Sequence, residues 1–329
     1  MSVNFRTQKD FEMMRKIKTK FNPRNDVSIK LSMIFEFSYH LIIPSLYSPY
    51  FSLGACMEGL NGLFTVGEVW SEDVLKLERS HFCARLSNPV GLNESSSSGQ
   101  ANFISKWMLH TGGSLGEIGM MENLFHEVGH ALHSMLGHTR YQPVMGTRCA
   151  TDFAEVPSIL MDRYTFVSIS FLMVARLCES KKVCGAADTQ LQVFYAILDQ
   201  VYHGKPQNRS TTDNMIDMQK KYYGLPYVTN TAWQLRFSHL VGYGAKYYSY
   251  LMSWAVASMV WKKCFYKDPL NRETGEHYRR EMLAHGGGKE PMLMVEGMLQ
   301  KRPSIEDFVN ALVSDLDPDF ETFIMDSEG

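Results

Sequence analysis

His126-Glu127-Val128-Gly129-His130 sets two imidazoles four residues apart, with a carboxylate beside the first. On an α-helix that spacing brings both rings to one face about a turn apart, where they can share one small cation. Glu127, one step round the helix, is placed to take a proton from a water activated by the metal rather than to bind the metal itself. This is the chemistry of zinc-assisted hydrolysis. Three fixed residues in five also arise by accident in on the order of a few per cent of chains this long, so the motif needs a helix and a third ligand.

Tetrahedral catalytic zinc takes three protein ligands and keeps an open position. A glycine at 133 followed by a histidine at 136 would offer one route, but the chain has His133 and Leu136. The remaining route is a carboxylate further on, and Asp152 and Glu155 are the candidates. A second account also fits them: Asp152 as a helix N-cap, Glu155 as its partner three residues on, and Pro157 in the first turn.

Two further segments carry polar chemistry. His239 precedes Tyr243, Tyr247 and Tyr250, whose spacing puts three phenols on one face if the segment is helical. Such a stripe can be core packing, or it can supply O–H donors to the oxygen that gains charge when an amide is attacked. His285-Gly286-Gly287-Gly288-Lys289 lacks the phosphate-loop pattern. Its glycines suit a helix-ending turn or the close approach of an extended peptide.

The helix that must carry the zinc motif is legible. Met121, Leu124, Phe125, Val128, Leu132, Met135 and Leu136 repeat at helical spacing from about Met120 to Leu136. Ser114 and Glu117 can cap it and Gly137 can stop it. His126, His130 and His133 fall roughly opposite that stripe, on a face expected to meet a cleft or solvent. A second helix is expected to start between Asp152 and Pro157, and a third to cover about Trp233 to Trp261. Others are expected near Arg279–Ala284, Met292–Gln300 and Ser304–Leu316, the last capped by Ser304 and Asp307. Strand-like alternation is scarce, so the fold class is mainly α.

Composition bounds the rest. The 329 residues are 45% apolar and 21% charged with a net charge of −2, which argues against a nucleic-acid surface. The most apolar stretch, Tyr164–Ala175, is too short to span a bilayer, so no membrane role is expected. Six scattered cysteines without a CxxC pair read as buried or idle thiols in a reducing compartment. The basic first twenty residues fit neither a secretory signal nor a good transit peptide.

Taken together, the motifs resemble the thimet oligopeptidase family of zinc metallopeptidases. The carrying segments are Met121–Met135, Gly146–Leu160, Trp233–Leu251 and Leu283–Met292, with Pro44–Asn61 also matching. The likeness is close over about 121–161 and 176–329, patchy over 1–80 and absent between about 84 and 118. It implies a helical zinc-peptidase catalytic domain of the thimet oligopeptidase and neurolysin type, holding one zinc ion per chain. It implies Glu155 as the third ligand beside His126 and His130, with Glu127 as the base. It also implies that His239, Tyr247 and Tyr250 polarise the scissile carbonyl, with Tyr243 and Gly286, Gly287 and Gly288 lining the substrate.

The resemblance is strongest to the mitochondrial branch of the family. That implies peptide substrates, in particular imported precursor proteins trimmed of a short N-terminal octapeptide in the mitochondrial matrix. The expected organisation is a partial upper region over 1–83, a divergent Ser/Gly-rich linker over 84–118 and the helical catalytic domain over 119–329. Much of the family's N-terminal helical lobe is expected to be missing. After Met161 the chain is more apolar than the family pattern, so a carboxylate supporting a ligand is expected to be gone. These departures also allow an alternative, a catalytically impaired form that binds zinc or peptide without turnover.

Overall fold

A computed structural model describes residues 8–12, 118–137, 139–164, 185–206, 208–314 and 316. Among these residues every regular element is helical, as the spacing of apolar positions requires. The Ser114–Glu117 pair, the linker up to residue 117 and nearly all of the upper region lie outside the described residues, while Ile118 opens the first helix. The chain divides into two compact units. One comprises Met1–Ile42, Ser170–Ala255 and Ser304–Gly329, and the other Ile43–Ile169 and Val256–Pro303.

The second unit is built on α1 (Ile118–Leu136), which carries the HExxH motif. Leu124, Phe125, Val128, Leu132 and Leu136 are buried along one side of it, as the stripe predicts. The helix stops where Gly137 follows Leu136, with the Gly137 amide donating to the His133 carbonyl. Two helices follow in tight succession, α2 (Thr151–Ala154) and α3 (Val156–Tyr164). The unit closes with a π-helical turn at Trp261–Phe265, α8 (Arg272–Tyr278), a second π turn at Arg279–Leu283, and α9 (Pro291–Leu299). Aromatic edges knit it together: Tyr164 meets Trp261 at 5.0 Å and Phe265 at 5.8 Å between ring centroids.

The first unit packs α4 (Gly185–Tyr202) against α5 (Thr211–Tyr222). Leu191, Phe194 and Leu198 of α4 form its core with Met215, Tyr223, Leu225 and Phe11. Ser210 caps α5 by accepting from the Asp213 amide, a start signal that apolar spacing alone does not bring out. The unit continues through a 3₁₀ turn at Trp233–Arg236, α6 (His239–Gly242) and α7 (Tyr248–Val260), whose last residues belong to the other unit. It ends with α10 (Ile305–Val313), where Ser304 and Asp307 form the expected reciprocal capping box.

The single helix expected over Trp233 to Trp261 is corrected to three short elements. Gly242, Gly244 and a left-handed Ala245 (φ 61°) break it, so residues 243–247 form a turn. No helix among the described residues is long and apolar enough to cross a membrane. Cys149 and Cys264, the cysteines within the described residues, are free thiols.

Candidate metal centre

α1 presents His126 and His130 one turn apart, their rings edge to face at 5.0 Å. The chain then loops back, and Glu155, between α2 and α3, brings its Oε2 within 3.0 Å of His130 Nε2 and 3.4 Å of His126 Nε2. Two imidazole nitrogens and one carboxylate oxygen thus lie within 4.8 Å of one another, a group that could hold a metal ion. The spacing fits zinc. Ligand atoms about 2.0–2.1 Å from a tetrahedral zinc stand roughly 3.4 Å from each other. Glu127 Oε2 is buried with no hydrogen-bond partner among the described residues, which leaves it open to accept from a small donor at the site.

Packing explains why Glu155, rather than Asp152, reaches the histidines. Ala150, not Asp152, occupies the N-cap of α2, and Asp152 sits in its first turn. The helix-start account of the pair is therefore corrected: α2 ends after one turn and frees Glu155 to face α1. Ser158, fully buried in α3, fixes that carboxylate by placing its hydroxyl 3.2 Å from Glu155 Oε2 and 2.9 Å from its carbonyl.

A second carboxylate supports the site. Asp162 Oδ2 lies 3.3 Å from His126 Nδ1, so the imidazole spans Asp162 on one nitrogen and Glu155 on the other. The expectation that this support had gone is thereby corrected: Asp162 supplies it before the apolar stretch begins. Burial disfavours the His126 cation, but Asp162 and Glu155 outweigh it and push the ring up to about 10. Burial also opposes the Glu155 carboxylate, and the two histidines more than compensate, holding it well below the usual range. At Glu127 burial dominates and raises the carboxyl despite both histidines.

His133 departs from its expected place. It is fully buried, edge-on to Phe153 at 5.9 Å, and burial followed by the nearby His130 lowers its pKa to about 4. Phe153 of α2 packs onto that side of α1, so the ring is a neutral core group.

The glycine loop has a partner inside the protein. The Gly287 amide donates to the Val144 carbonyl at 2.8 Å, and a β-carbon on Gly287 would stand 2.1 Å from the Arg148 carbonyl oxygen. On Gly286 it would stand 2.6 Å from the Val144 oxygen. Gly286 and Gly287 therefore clasp the strip Val144–Cys149 that leads to Glu155, while Gly288 closes the turn onto the His285 carbonyl.

In the first unit, the four aromatic candidates gather without the helical face expected of them. The His239 ring lies 5.9 Å from Tyr243, 5.7 Å from Tyr247 and 5.9 Å from Tyr250, and Tyr250 is 5.1 Å from Tyr247. The turn at 243–247 folds them together. Tyr247 is buried and its hydroxyl donates to Gln192 Oε1 at 2.8 Å. Sequence reading missed Ser158, Asp162 and Gln192 as supports. A carboxylate seven residues beyond Glu155, in the helix that starts just after it, was a signal available for Asp162.

Residues 109–314, which span α1 through α10, match Peptidase family M3, and the chain belongs to that family. The resemblance drawn from the motifs is thereby borne out. Among its relatives are the mitochondrial intermediate peptidases of Pongo abelii and Homo sapiens, each 55% identical over 98% of this chain. That of Rattus norvegicus is 54% identical over the same share. The chain spans about half the length of these relatives, 54% in each case. The aligned spans of 383 and 384 positions exceed the chain's 329 residues, so the relatives carry residues within the matched stretch that this chain lacks.

Proposed function

We propose that this chain is the catalytic part of a zinc-dependent endopeptidase that cleaves short or unfolded peptides, mitochondrial precursor proteins among them, in the mitochondrial matrix. The observation that carries the chemistry is the convergence of His126, His130 and Glu155, with Glu127 Oε2 buried and without a hydrogen-bond partner among the described residues. Substrate class and compartment rest on the likeness to the mitochondrial intermediate peptidases.

His126 Nε2, His130 Nε2 and the Glu155 carboxylate would hold a zinc ion, which would supply Lewis acidity to a peptide carbonyl and to a water. Glu127 is the proposed base: its Oε2, without a hydrogen-bond partner among the described residues, can accept the proton from water. The same carboxyl then returns the proton to the leaving amine. Asp162 and Ser158 keep His126 and Glu155 oriented while this happens. His239 and Tyr250 are the proposed donors to the developing oxyanion; Tyr247, expected as a third donor, gives its hydroxyl to Gln192 and packs against them, and Tyr243 lines the substrate. Gly286, Gly287 and Gly288 are the proposed lining of the substrate, and the first two also clasp the Val144–Cys149 strip that leads to Glu155.

The test is zinc content after dialysis together with cleavage of an internally quenched peptide. About one zinc per chain is expected in wild type and Glu127→Gln, and little in Glu155→Ala. Turnover is expected to drop about 10²–10⁴-fold in Glu127→Gln. Wild-type cleavage by that variant would sink the mechanism, and stoichiometric zinc without any turnover in wild type would make this a binding protein instead.

A further inference from the structure

The turn that gathers the aromatic rings is held by one helix. Asp199 of α4 is fully buried, and each of its carboxylate oxygens accepts a backbone N–H from the turn. Oδ1 accepts from Ala245 and Oδ2 from Tyr247, both at 3.0 Å. Oδ1 also lies 2.9 Å from His203 Nδ1, and that imidazole fills the space beside Gly244, where a β-carbon would come within 2.7 Å of Nε2. Gln200 donates to the Ala245 carbonyl at 2.9 Å, and Gln192 accepts from the Tyr247 hydroxyl at 2.8 Å. Side chains of α4, with His203 just beyond its end, thus grip the turn from Gly244 to Tyr247.

Chemistry makes the grip mutual. A carboxylate out of water needs donors on both oxygens, and the turn supplies two amides that a continuous helix would have used internally. Ala245 in turn sits at φ 61°, a conformation that L-residues hold only where their surroundings over-determine it. Both polar atoms of its backbone, N–H and C=O, are taken by α4.

We propose that Asp199 is a positioning residue for the His239–Tyr243–Tyr247–Tyr250 cluster: its buried carboxylate fixes the turn in the one backbone form that brings those rings together. The catalytic consequence rests on the reading above, in which His239 and Tyr250 serve the peptide carbonyl. The substitution Asp199→Asn puts an NH₂ where one acceptor oxygen stood, so one of the two turn amides meets a donor instead of an acceptor.

The experiment combines amide hydrogen exchange and steady-state kinetics on the zinc-loaded full chain. In Asp199→Asn the Ala245 and Tyr247 amides are expected to exchange about tenfold faster or more, with His126–His130 and zinc content unchanged. kcat on the quenched peptide is expected to fall about tenfold while KM stays within about threefold. Adding Ala245→Gly, which removes the left-handed penalty, is expected to recover about fivefold of kcat. Unchanged exchange in the turn overturns the proposal, as does a loosened turn with unaltered kcat. Loss of kcat together with zinc, without recovery by Ala245→Gly, marks Asp199 as a fold residue only and also overturns it. Should Asp199→Asn not fold, Gln200→Ala keeps the buried carboxylate and is expected to quicken exchange at the same amides, and unchanged exchange there counts against the proposal. Full kcat in Tyr250→Phe would remove the reading of the tyrosine while leaving the exchange result to decide the role of Asp199.

Discussion

Gly129, inside the helix of the HExxH motif, faces Ser158 so closely that a β-carbon on it would stand 2.6 Å from Ser158 Cα and 2.7 Å from the Pro157 carbonyl oxygen. The fourth residue of the HExxH motif is thus the point where α1 and α3 cross, three residues from Glu155. Gly129→Ala gains about 1 kcal/mol of helix propensity but meets backbone atoms that no rotamer change can move. Overpacking costs about 1–3 kcal/mol, so a net destabilisation of up to about 2 kcal/mol is expected. A thermal melt and zinc titration would check this, with weaker zinc binding than wild type because the helices part beside the ligands.

Asp162→Asn should weaken zinc binding while leaving the three ligands in place. Loss of a carboxylate behind a ligating histidine typically lowers metal affinity about 10–100-fold. Competition with a chelating indicator would measure it, and unchanged affinity would show that the 3.3 Å contact with His126 Nδ1 contributes nothing.

Gly287→Ala tests whether the glycine loop reaches the metal centre through the protein. Its β-carbon would fall 2.1 Å from the Arg148 carbonyl oxygen, a backbone atom on the strip leading to Glu155. About 3 kcal/mol of destabilisation is expected, together with loss of zinc retention on dialysis. A variant with normal melting and normal zinc would argue that the loop acts on the peptide alone.

Glu276 gives a pH signature away from the metal. Arg279 first, against weak burial and with help from Arg280, holds its carboxyl down to about 2. A folded-state pKa below the ordinary 4.5 means the unfolded chain takes up protons first as pH falls. Its contribution is full above about pH 4.5 and disappears as pH falls through about 2. Because Arg280 is 70% exposed, solvent screening cuts the contribution to about 1 kcal/mol. The stability gap between wild type and Glu276→Gln should therefore close between about pH 5 and 2 in urea titrations at each pH.

Much of the fold was readable because single helices announce themselves. The stripe from Leu124 to Leu136 located α1 to within two residues of its start, and Ser304 with Asp307 marked the start of α10. Trp233 to Trp261 misled, because apolar spacing persists through Gly244 and Ala245 although the backbone leaves the helix there. His133 misled for a different reason: helical angle fixes which residues share a face, whereas burial depends on what later chain covers that face.

By itself the sequence determined that His126 and His130 share a helix face with the carboxylate of Glu127 one step round, since helical geometry fixes residues four apart. Spacing alone left both Asp152 and Glu155 open, since both lie where a helix could begin, and only the family resemblance pointed to Glu155. Tertiary structure decided between them. The close approach at Gly129, the clasp of Gly286 and Gly287 on Val144–Cys149 and the hydroxyl of Ser158 together bring Glu155 to the imidazoles. The gathering of His239 with the three tyrosines was decided likewise, by a buried carboxylate on a distant helix holding a turn. Contacts of this kind join residues far apart in the chain, and no local period records them.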